Sequence, residues 1–396
     1  MILVTSSLLT IIAVLLAIPS AVLAIEVCAA LFLRKTETAK GMTDRRAQIA
    51  VLVPAHNEAG GLLATLHDIK AQLRTADRLL VVADNCSDDT AAIAAEAGAE
   101  VSVRSDLTKI GKGYVLDWGL RRLALSPPEI VIVIDADCRL ADHAIDRLAS
   151  FCEQSKRPIQ SLYLMTAPTG SRINHQVAEF AWRVKNWVRP TGLRVLGLPC
   201  QLMGSGMAFP WSIIRSANLS SGYIVEDLKL GLDLAAARHA PLFCPSALVT
   251  STFPSSAEGA KGQRQRWEHG HIQLALTTAI PRLLQAVGQR NLGLLTLVLD
   301  LIVPPLSLFL IILTMTAIAA GLALLAGAAP VAFVISLGCL LVVGLATIVA
   351  WTSHGRDILP LRSLVLVPLY LITKFRHYVS AALGERISQW VRADRG

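Results

Sequence analysis

Glu129-Ile130-Val131-Ile132-Val133-Ile134-Asp135-Ala136-Asp137-Cys138-Arg139 is the stretch on which the reading of this sequence turns. Its consecutive β-branched residues, Ile130 to Ile134, make an apolar run too short for a helix and predict a buried central strand. The strand ends in two carboxylates. If extended geometry persists, Asp135 and Asp137 project to the same side, because strand side chains alternate. Open α/β sheets bind ligands at the carboxyl ends of their strands, and a pair of hard oxygen ligands there suits a divalent cation with a substrate phosphate. A solvated strand-to-loop turn is the competing reading, since Asp is common in such turns.

Around this strand, Gln48 to about Met165 alternates strand and helix, the pattern of a mainly parallel sheet. Ile49 to Val53 reads as a first strand stopped by Pro54, and Leu62, Leu66, Ile69 and Leu73 place an amphipathic helix over Ala59 to Leu73. Leu79 to Ala83 is a second strand, Asp89 to Gly98 a helix, Glu100 to Val103 a third strand and Gly113 to Leu125 a helix. The crossover loops Pro54-Ala55-His56-Asn57-Glu58 and Asp84-Asn85-Cys86-Ser87-Asp88 line one sheet edge. A nucleotide along that edge would meet His56, Asn57, Glu58 and Asp84 before Asp135 and Asp137. Asn57 and Asp88 also suit helix caps, and Glu58 a helix N-terminus. No Gly-x-Gly-x-x-Gly follows the first strand and no Walker loop occurs, which disfavours a dinucleotide dehydrogenase or a P-loop NTPase. Gly204-Ser205-Gly206 is too short to count as such a loop; Leu198 to Phe209 either borders an acceptor or forms a bulged strand. Lys109-Ile110-Gly111-Lys112-Gly113 is a flexible basic turn, suited to a diphosphate or simply exposed.

The 396 residues are 53% hydrophobic, too apolar for an ordinary soluble enzyme, so a membrane protein with one substantial soluble domain is expected. Seven cysteines without a Cys-x-x-Cys pair suggest a reducing, cytosolic domain. The excess of Lys and Arg is spread along the chain, which favours an anionic membrane surface over nucleic acid. Leu8 to Leu33 is long enough to span a bilayer, and the basic residues Arg34, Lys35, Lys40, Arg45 and Arg46 after it place the N-terminus outside. A cleaved signal peptide is the alternative, disfavoured by the overlong apolar segment and the missing basic n-region. Glu26 is expected to reach the interface and receives no role. Ile173 to Leu196, with Trp182, Trp187, Arg183, Lys185, Arg189 and Arg194, reads as an amphipathic surface segment broken or kinked at Pro190. Leu292 to Trp351 is long enough for two spans parted near Gly327 to Pro330, with Asp300 at the interface and a bend at Pro304 and Pro305. Leu359 to Thr373 is expected to be interfacial or re-entrant, a further span being the alternative, and Gly384 to Gly396 a basic surface tail.

Two further motifs carry chemistry. Glu226-Asp227 precedes Leu228 to Arg238, whose apolar spacing is helical, so both acids open a helix; that is also a favourable place for structural acids. In Gln263-Arg264-Gln265-Arg266-Trp267, Arg266 offers a planar fork to a diphosphate and Trp267 a flat face to a sugar ring, unless both anchor the chain at a bilayer surface. His269 and His271 have no third ligand spaced nearby and read as surface or interfacial.

In this order, Pro54-Ala55-His56-Asn57-Glu58, Asp84-Asn85-x-Ser87-x-Asp89-Thr90, Gly111-Lys112-Gly113, Asp135-Ala136-Asp137, Glu226-Asp227 and Gln263-x-x-Arg266-Trp267 resemble the membrane-bound family 2 glycosyltransferases, the cellulose, chitin-oligosaccharide, hyaluronan and poly-N-acetylglucosamine synthase group. The resemblance covers about Ile49 to Leu276, plus the flanking membrane segments. It implies an α/β GT-A (nucleotide-diphospho-sugar transferase) domain plus α-helical transmembrane segments. The domains would be 1–35 (N-terminal span), 45–290 (cytosolic catalytic domain with interfacial helices), 291–375 (further membrane helices) and 376–396 (basic tail). It further implies an inverting transferase that takes a nucleotide-sugar donor, expected to be a UDP-sugar, and uses Mg or Mn. By this resemblance Pro54, His56, Asn57, Glu58, Asp84, Lys112 and Asp135 face the donor, and Asp135 and Asp137 hold the metal. Asp227 is the general base, and Glu226, Gln263, Arg266 and Trp267 meet the acceptor or the diphosphate. Family members of the cellulose-synthase type usually carry Thr where Val225 stands. The expected acceptor is a growing glycan at the plasma membrane, with a lipid-linked acceptor as the alternative, and export of a polymer calls for an oligomer or another protein. A non-catalytic scaffold of the same fold is the reading from another class.

Overall fold

The computed structural model describes residues 2–33, 46–168, 173–220, 223–254 and 257–382. The expected basic tail, and Arg34, Lys35, Lys40 and Arg45, lie outside the described residues. The chain begins with α1 (Ile2–Ala30), then enters an alternating region: β1 (Ile49–Ala55), α2 (Leu62–Lys70), β2 (Arg78–Asp84), α3 (Thr90–Glu96), β3 (Glu100–Arg104), α4 (Lys112–Leu123) and β4 (Ile130–Val133). Next come β5 (Arg139–Leu140), α5 (Ala144–Ser155), β6 (Ile159–Thr166), α6 (Ile173–Arg183), a π-helical turn (Val184–Val188) and α7 (Arg189–Val195). The rest is β7 (Met207–Pro210), α8 (Trp211–Ile214), α9 (Glu226–Ala236), β8 (Leu242–Thr252), α10 (Ala257–Gly288), α11 (Leu292–Leu301), α12 (Leu306–Leu325), α13 (Val331–His354), a 3-10 turn (Leu361–Leu366) and α14 (Val367–Ala382).

Two compact units result. One comprises the described residues of Arg34–Pro168 and Gly197–Leu297, the other those of Met1–Leu33, Thr169–Leu196 and Val298–Gln389.

The first unit is built on one sheet of order β3-β2-β1-β4-β7-β6-β8-β5. The half β3-β2-β1-β4 is parallel, as its alternation with helices requires, while β7 runs antiparallel to β4 and β6. The five-residue apolar run is the buried core strand expected of it, Ile130 to Ile134 having almost no exposure. Its neighbours Leu52, Val82, Phe209 and the α4 residues Leu116 and Leu123 close one core around it. Pro54 does not end β1. The strand runs on to Ala55, pairing Pro54 with Val82, but beside β4 its pairing stops at Leu52, so Pro54 sits where β1 has a sheet neighbour on one side only. Strand geometry also stops earlier than expected at the carboxylates: β4 ends at Val133, and Cys138 N–H donates to Asp135 O at 3.1 Å, closing a turn over Asp135-Ala136-Asp137. Arg46, counted above among the basic flank of the first span, is instead buried in ion pairs with Asp77 and Asp146.

The second unit holds three helices long and apolar enough to cross a membrane among the described residues, Leu3–Ala30, Leu306–Leu325 and Val331–His354. Large apolar side chains such as Leu3, Ile11, Leu15, Leu322, Leu325, Leu341 and Leu345 face outward from them, as a hydrocarbon surround demands. Ile302 to Pro305, with Pro304 and Pro305, interrupt the helix, so α11 ends at Leu301 and stands apart from the span that opens at Leu306. Pro190 is the second residue of α7, which follows directly on the π turn, so the segment changes its helical form just before the proline. Glu26 is buried inside this unit, not left on its surface. It is 2% exposed and accepts a hydrogen bond from Arg189 Nε at 2.6 Å, while Arg189 Nη2 bonds Asp300 Oδ1 at 2.6 Å. Asp300 is thus buried in an ionic triad, and a charge in so apolar a unit persists only when paired. The 3-10 turn and α14 leave Leu361, Val365, Leu369 and Ile372 exposed along one stripe, and this segment is not among the candidate spans of the described residues.

Candidate active site

At the carboxyl edge of the parallel strands the two crossover loops are tied together. His56 Nδ1 lies 2.7 Å from Asp84 O, Asn57 Oδ1 accepts Ser87 N–H at 2.7 Å, and Glu58 N–H donates to Thr90 Oγ1 at 2.8 Å. Asn57 reaches this geometry with φ +53°, in the left-handed region that Asn tolerates better than most residues. Asp88 accepts the N–H groups of Thr90 and Ala59, so its role here is to hold the loop. Asp84 carries a partner that the sequence reading missed. Arg104 Nη1 meets Asp84 Oδ1 at 2.5 Å, and both residues are 5% exposed. The register of β2 on β3 places Asp84 opposite Arg104, so an arginine ending the third strand was the available signal. Arg104 also donates to Lys109 O at 2.8 Å, and Asp106 accepts the N–H groups of Thr108 and Lys109. The basic turn is therefore stitched down, contrary to its expected flexibility.

Lys112, at the start of α4, forms an ion pair with Asp135 and donates to Gly204 O at 2.8 Å. Burial pulls its ammonium group down, but the carboxylates of Asp135, Glu226 and Asp227 outweigh that and hold it above the usual lysine value. Asp135 N–H is received by Ser205 Oγ at 3.0 Å. Asp137 follows in the turn, half-buried. Gly204, at φ +94°, has no side chain where one would fill the site: a Cβ there would stand 3.5 Å from Asp227 Oδ2 and 3.8 Å from Lys112 Nζ. The segment Gly204-Ser205-Gly206, set aside on sequence as too short, thus comes close to both the Lys112 ammonium and the Asp227 carboxylate at Gly204. Glu226 and Asp227 open α9 as expected, and Asp227 Oδ1 accepts Leu228 N–H at 2.8 Å. Burial, then the neighbouring Asp227 carboxylate, push the Glu226 carboxyl well above the usual carboxylate range.

Gln263, Arg266 and Trp267 share α10, with Gln263 6% exposed and its Oε1 without a hydrogen-bond partner. Burial lowers the Arg266 pKa. The helix meets the segment before Asp227 at Gly270, where an added Cβ would come within 2.9 Å of Val225 Cγ1. His269 is exposed as expected, whereas His271 is buried, and the described residues contain no cluster of three or more metal-ligating side chains. Lys112, Asp135, Gly204, Glu226 and Asp227 are thus brought to one place, His56, Asn57, Glu58 and Asp84 to the adjoining loops, and Pro54 into β1.

Residues 47–270 match the profile of Glycosyltransferase like family 2. The chain belongs to that family. Among solved structures, this glycosyltransferase is similar to a mannosyltransferase from Pyrobaculum calidifontis in complex with GDP-Man and Mn2+, at 17% identity and TM-score 0.51, covering 87% of this chain and 99% of that one. A glucosyl-3-phosphoglycerate synthase from Mycobacterium tuberculosis, in complex with Mn2+, UDP and phosphoglyceric acid, aligns at 20% identity and TM-score 0.40 over 58% of this chain and 78% of that one. No curated protein matches the chain. At 17% identity the mannosyltransferase speaks to the fold alone, and it agrees with the α/β GT-A architecture.

Proposed function

We propose that this glycosyltransferase moves a sugar, with inversion, from a nucleoside-diphosphate sugar to a growing polysaccharide at the membrane. The observation that carries the reading is the convergence of Lys112 Nζ and Asp227 Oδ2 on Gly204, at 3.8 and 3.5 Å from where a Cβ there would stand. Inverting transfer needs opposite chemistry on the two faces of the anomeric carbon. The acceptor hydroxyl loses its proton to a base as its oxygen attacks. The bond from the anomeric carbon to the diphosphate breaks, and its electron pair leaves on the phosphate oxygen. In this reading Asp227 takes the proton, and Lys112 offsets the charge on the departing diphosphate.

The solved relatives named above were obtained with Mn2+ and a nucleotide or nucleotide sugar, and the residues here fit such a cation. The turn offers Asp135 and Asp137 as hard oxygen ligands. A bound divalent cation would be held by these two carboxylates and would take its other oxygen ligands from outside the protein, a ligand set typical of Mg2+ sites. When bound, the cation supplies electrostatic stabilisation of the diphosphate. His56, Asn57, Glu58 and Asp84 border the nucleotide, for which a uridine diphosphate is the first expectation, and Gln263, Arg266 and Trp267 the acceptor or diphosphate. The catalytic unit faces the cytosol in this reading.

A single transfer to a polyprenyl-phosphate or glycolipid is the second reading, favoured by the number of candidate spans, three among the described residues, few for a secretion channel. The test is nucleoside diphosphate release by the purified protein across a panel of nucleotide sugars with Mg2+ or Mn2+, beside Asp227→Asn. Metal-dependent release from one donor, abolished in the variant, supports the reading. Survival of turnover in Asp227→Asn removes Asp227 as base, and the length of the product by mass analysis separates polymer from single transfer.

A further inference from the structure

Beneath the Asp135-Ala136-Asp137 turn runs a buried polar seam that the proposed chemistry does not touch. Ser205 is wholly buried, and its Oγ accepts Asp135 N–H at 3.0 Å while lying 3.2 Å from Cys138 Sγ. One hydroxyl therefore meets both ends of the turn that holds Asp137. Because β4 stops at Val133, the Asp135 N–H has no partner in the strand ladder, and the serine supplies one.

Ser205 is itself held from behind. Its carbonyl accepts Gln160 Nε2 at 2.9 Å, and Gln160 Oε1 takes Met203 N–H at 2.8 Å, with Gln160 wholly buried. On the far side Gly206 N–H donates to Val133 O at 3.0 Å. Gly206 sits at φ +66°, where a Cβ would fall 1.8 Å from Ser161 Oγ, so only glycine lets the loop lie so close. From the other flank Lys112 pins Gly204 O. A loop fixed on so many sides is a rigid support, and the turn rests on it through Ser205.

We infer that Ser205 is a positioning residue for the two turn carboxylates: its hydroxyl fixes the backbone of Asp135 to Cys138 so that Asp135 and Asp137 are preset for a divalent cation. Gln160 is the support that holds Ser205 in place. The inference rests on the metal reading proposed above. Groups that orient metal ligands typically matter to affinity by an order of magnitude or more.

The test is Mn2+ binding by the full chain in detergent at fixed UDP, read as loss of the free Mn2+ signal in electron paramagnetic resonance, which needs no turnover. Ser205→Ala is expected to weaken Mn2+ by roughly tenfold. Ser336→Ala, which removes an equally buried hydroxyl bonded only to Ala332 O, is expected to bind as wild type, and Asp137→Ala to lose binding. If Asp137→Ala still bound Mn2+ normally, the metal reading itself would fall. If Asp137→Ala lost binding while Ser205→Ala kept it, or Ser336→Ala weakened it equally, the role of Ser205 would be overturned. Should Ser205→Ala fail to fold, Gln160→Met carries the test: weakened Mn2+ supports the inference, and wild-type affinity overturns it.

Discussion

Asp84 and Arg104, at the ends of adjacent parallel strands, form a buried ion pair at 2.5 Å beside the loops proposed to border the nucleotide. The pair joins two jobs, since the same guanidinium holds the basic turn through Lys109 O. Removing one member of a buried pair leaves the other charge desolvated and costs about 3–5 kcal/mol. Arg104→Met is therefore expected to lower the unfolding temperature sharply by differential scanning fluorimetry in detergent. An unfolding temperature equal to that of the wild type would show that the pair contributes nothing to the fold.

Asp227→Asn keeps the shape of the side chain and its acceptor oxygen for Leu228 N–H but cannot take a proton. Loss of a general base typically costs about 10²–10⁴-fold in rate. The expected outcome is a fall of that order in kcat with donor KM little changed, followed by coupled-enzyme detection of the nucleoside diphosphate. A fall confined to KM would assign Asp227 to binding.

Much of the donor side was legible because its signals are local. The β-branched run, the helical spacing of Leu62, Leu66 and Ile69, and the placing of Glu226 and Asp227 at a helix start all survive in the structure. The two spans after Leu292 also appear, because a long apolar run needs no tertiary context. What escaped was settled by residues far apart in sequence. Glu26, Arg189 and Asp300 each looked like an isolated interfacial charge, and nothing local announces that they meet. Ser205 gained its place from Asp135 across the sheet, and the turn of Asp135-Ala136-Asp137 replaced extended geometry because β7 pairs with β4 only as far as Val133. Pro54 misled for the same reason in reverse, since its strand is open on one side there.

The raised Glu226 pKa gives a signed pH effect. Burial and Asp227 push the folded-state value above the ordinary carboxylate value of 4.5, so the folded state holds this proton more tightly than the unfolded one. The stability this gives is fully present below the ordinary carboxylate range and is lost as pH rises toward the folded-state value. Glu226→Gln, which stays neutral, should match the metal-free wild type in acid and exceed it increasingly as pH rises into the neutral range. Unfolding temperatures of the two proteins across pH test this. A difference constant with pH would show that the Glu226 carboxyl titrates alike in the folded and unfolded states.

Within the membrane unit, α7 lies so close to α1 that a Cβ on Gly192 would fall 1.8 Å from the carbonyl oxygen of Glu26. Backbone cannot yield as a flexible side chain can, so Gly192→Ala must push the two helices apart. The shift falls where Arg189 Nε reaches Glu26 Oε2 at 2.6 Å, three residues earlier on the same helix, and would stretch the bond that neutralises a buried carboxylate. Overpacking alone costs about 1–3 kcal/mol, and a weakened buried ion pair adds to it. Gly338→Ala is the matched control, because a Cβ there meets nothing within 4 Å in the same apolar surroundings. Gly192→Ala is expected to lower the unfolding temperature and the yield of folded protein in detergent, and Gly338→Ala to leave both unchanged. Equal behaviour of the two variants would mean that the close contact of α7 with α1 does not hold this unit together.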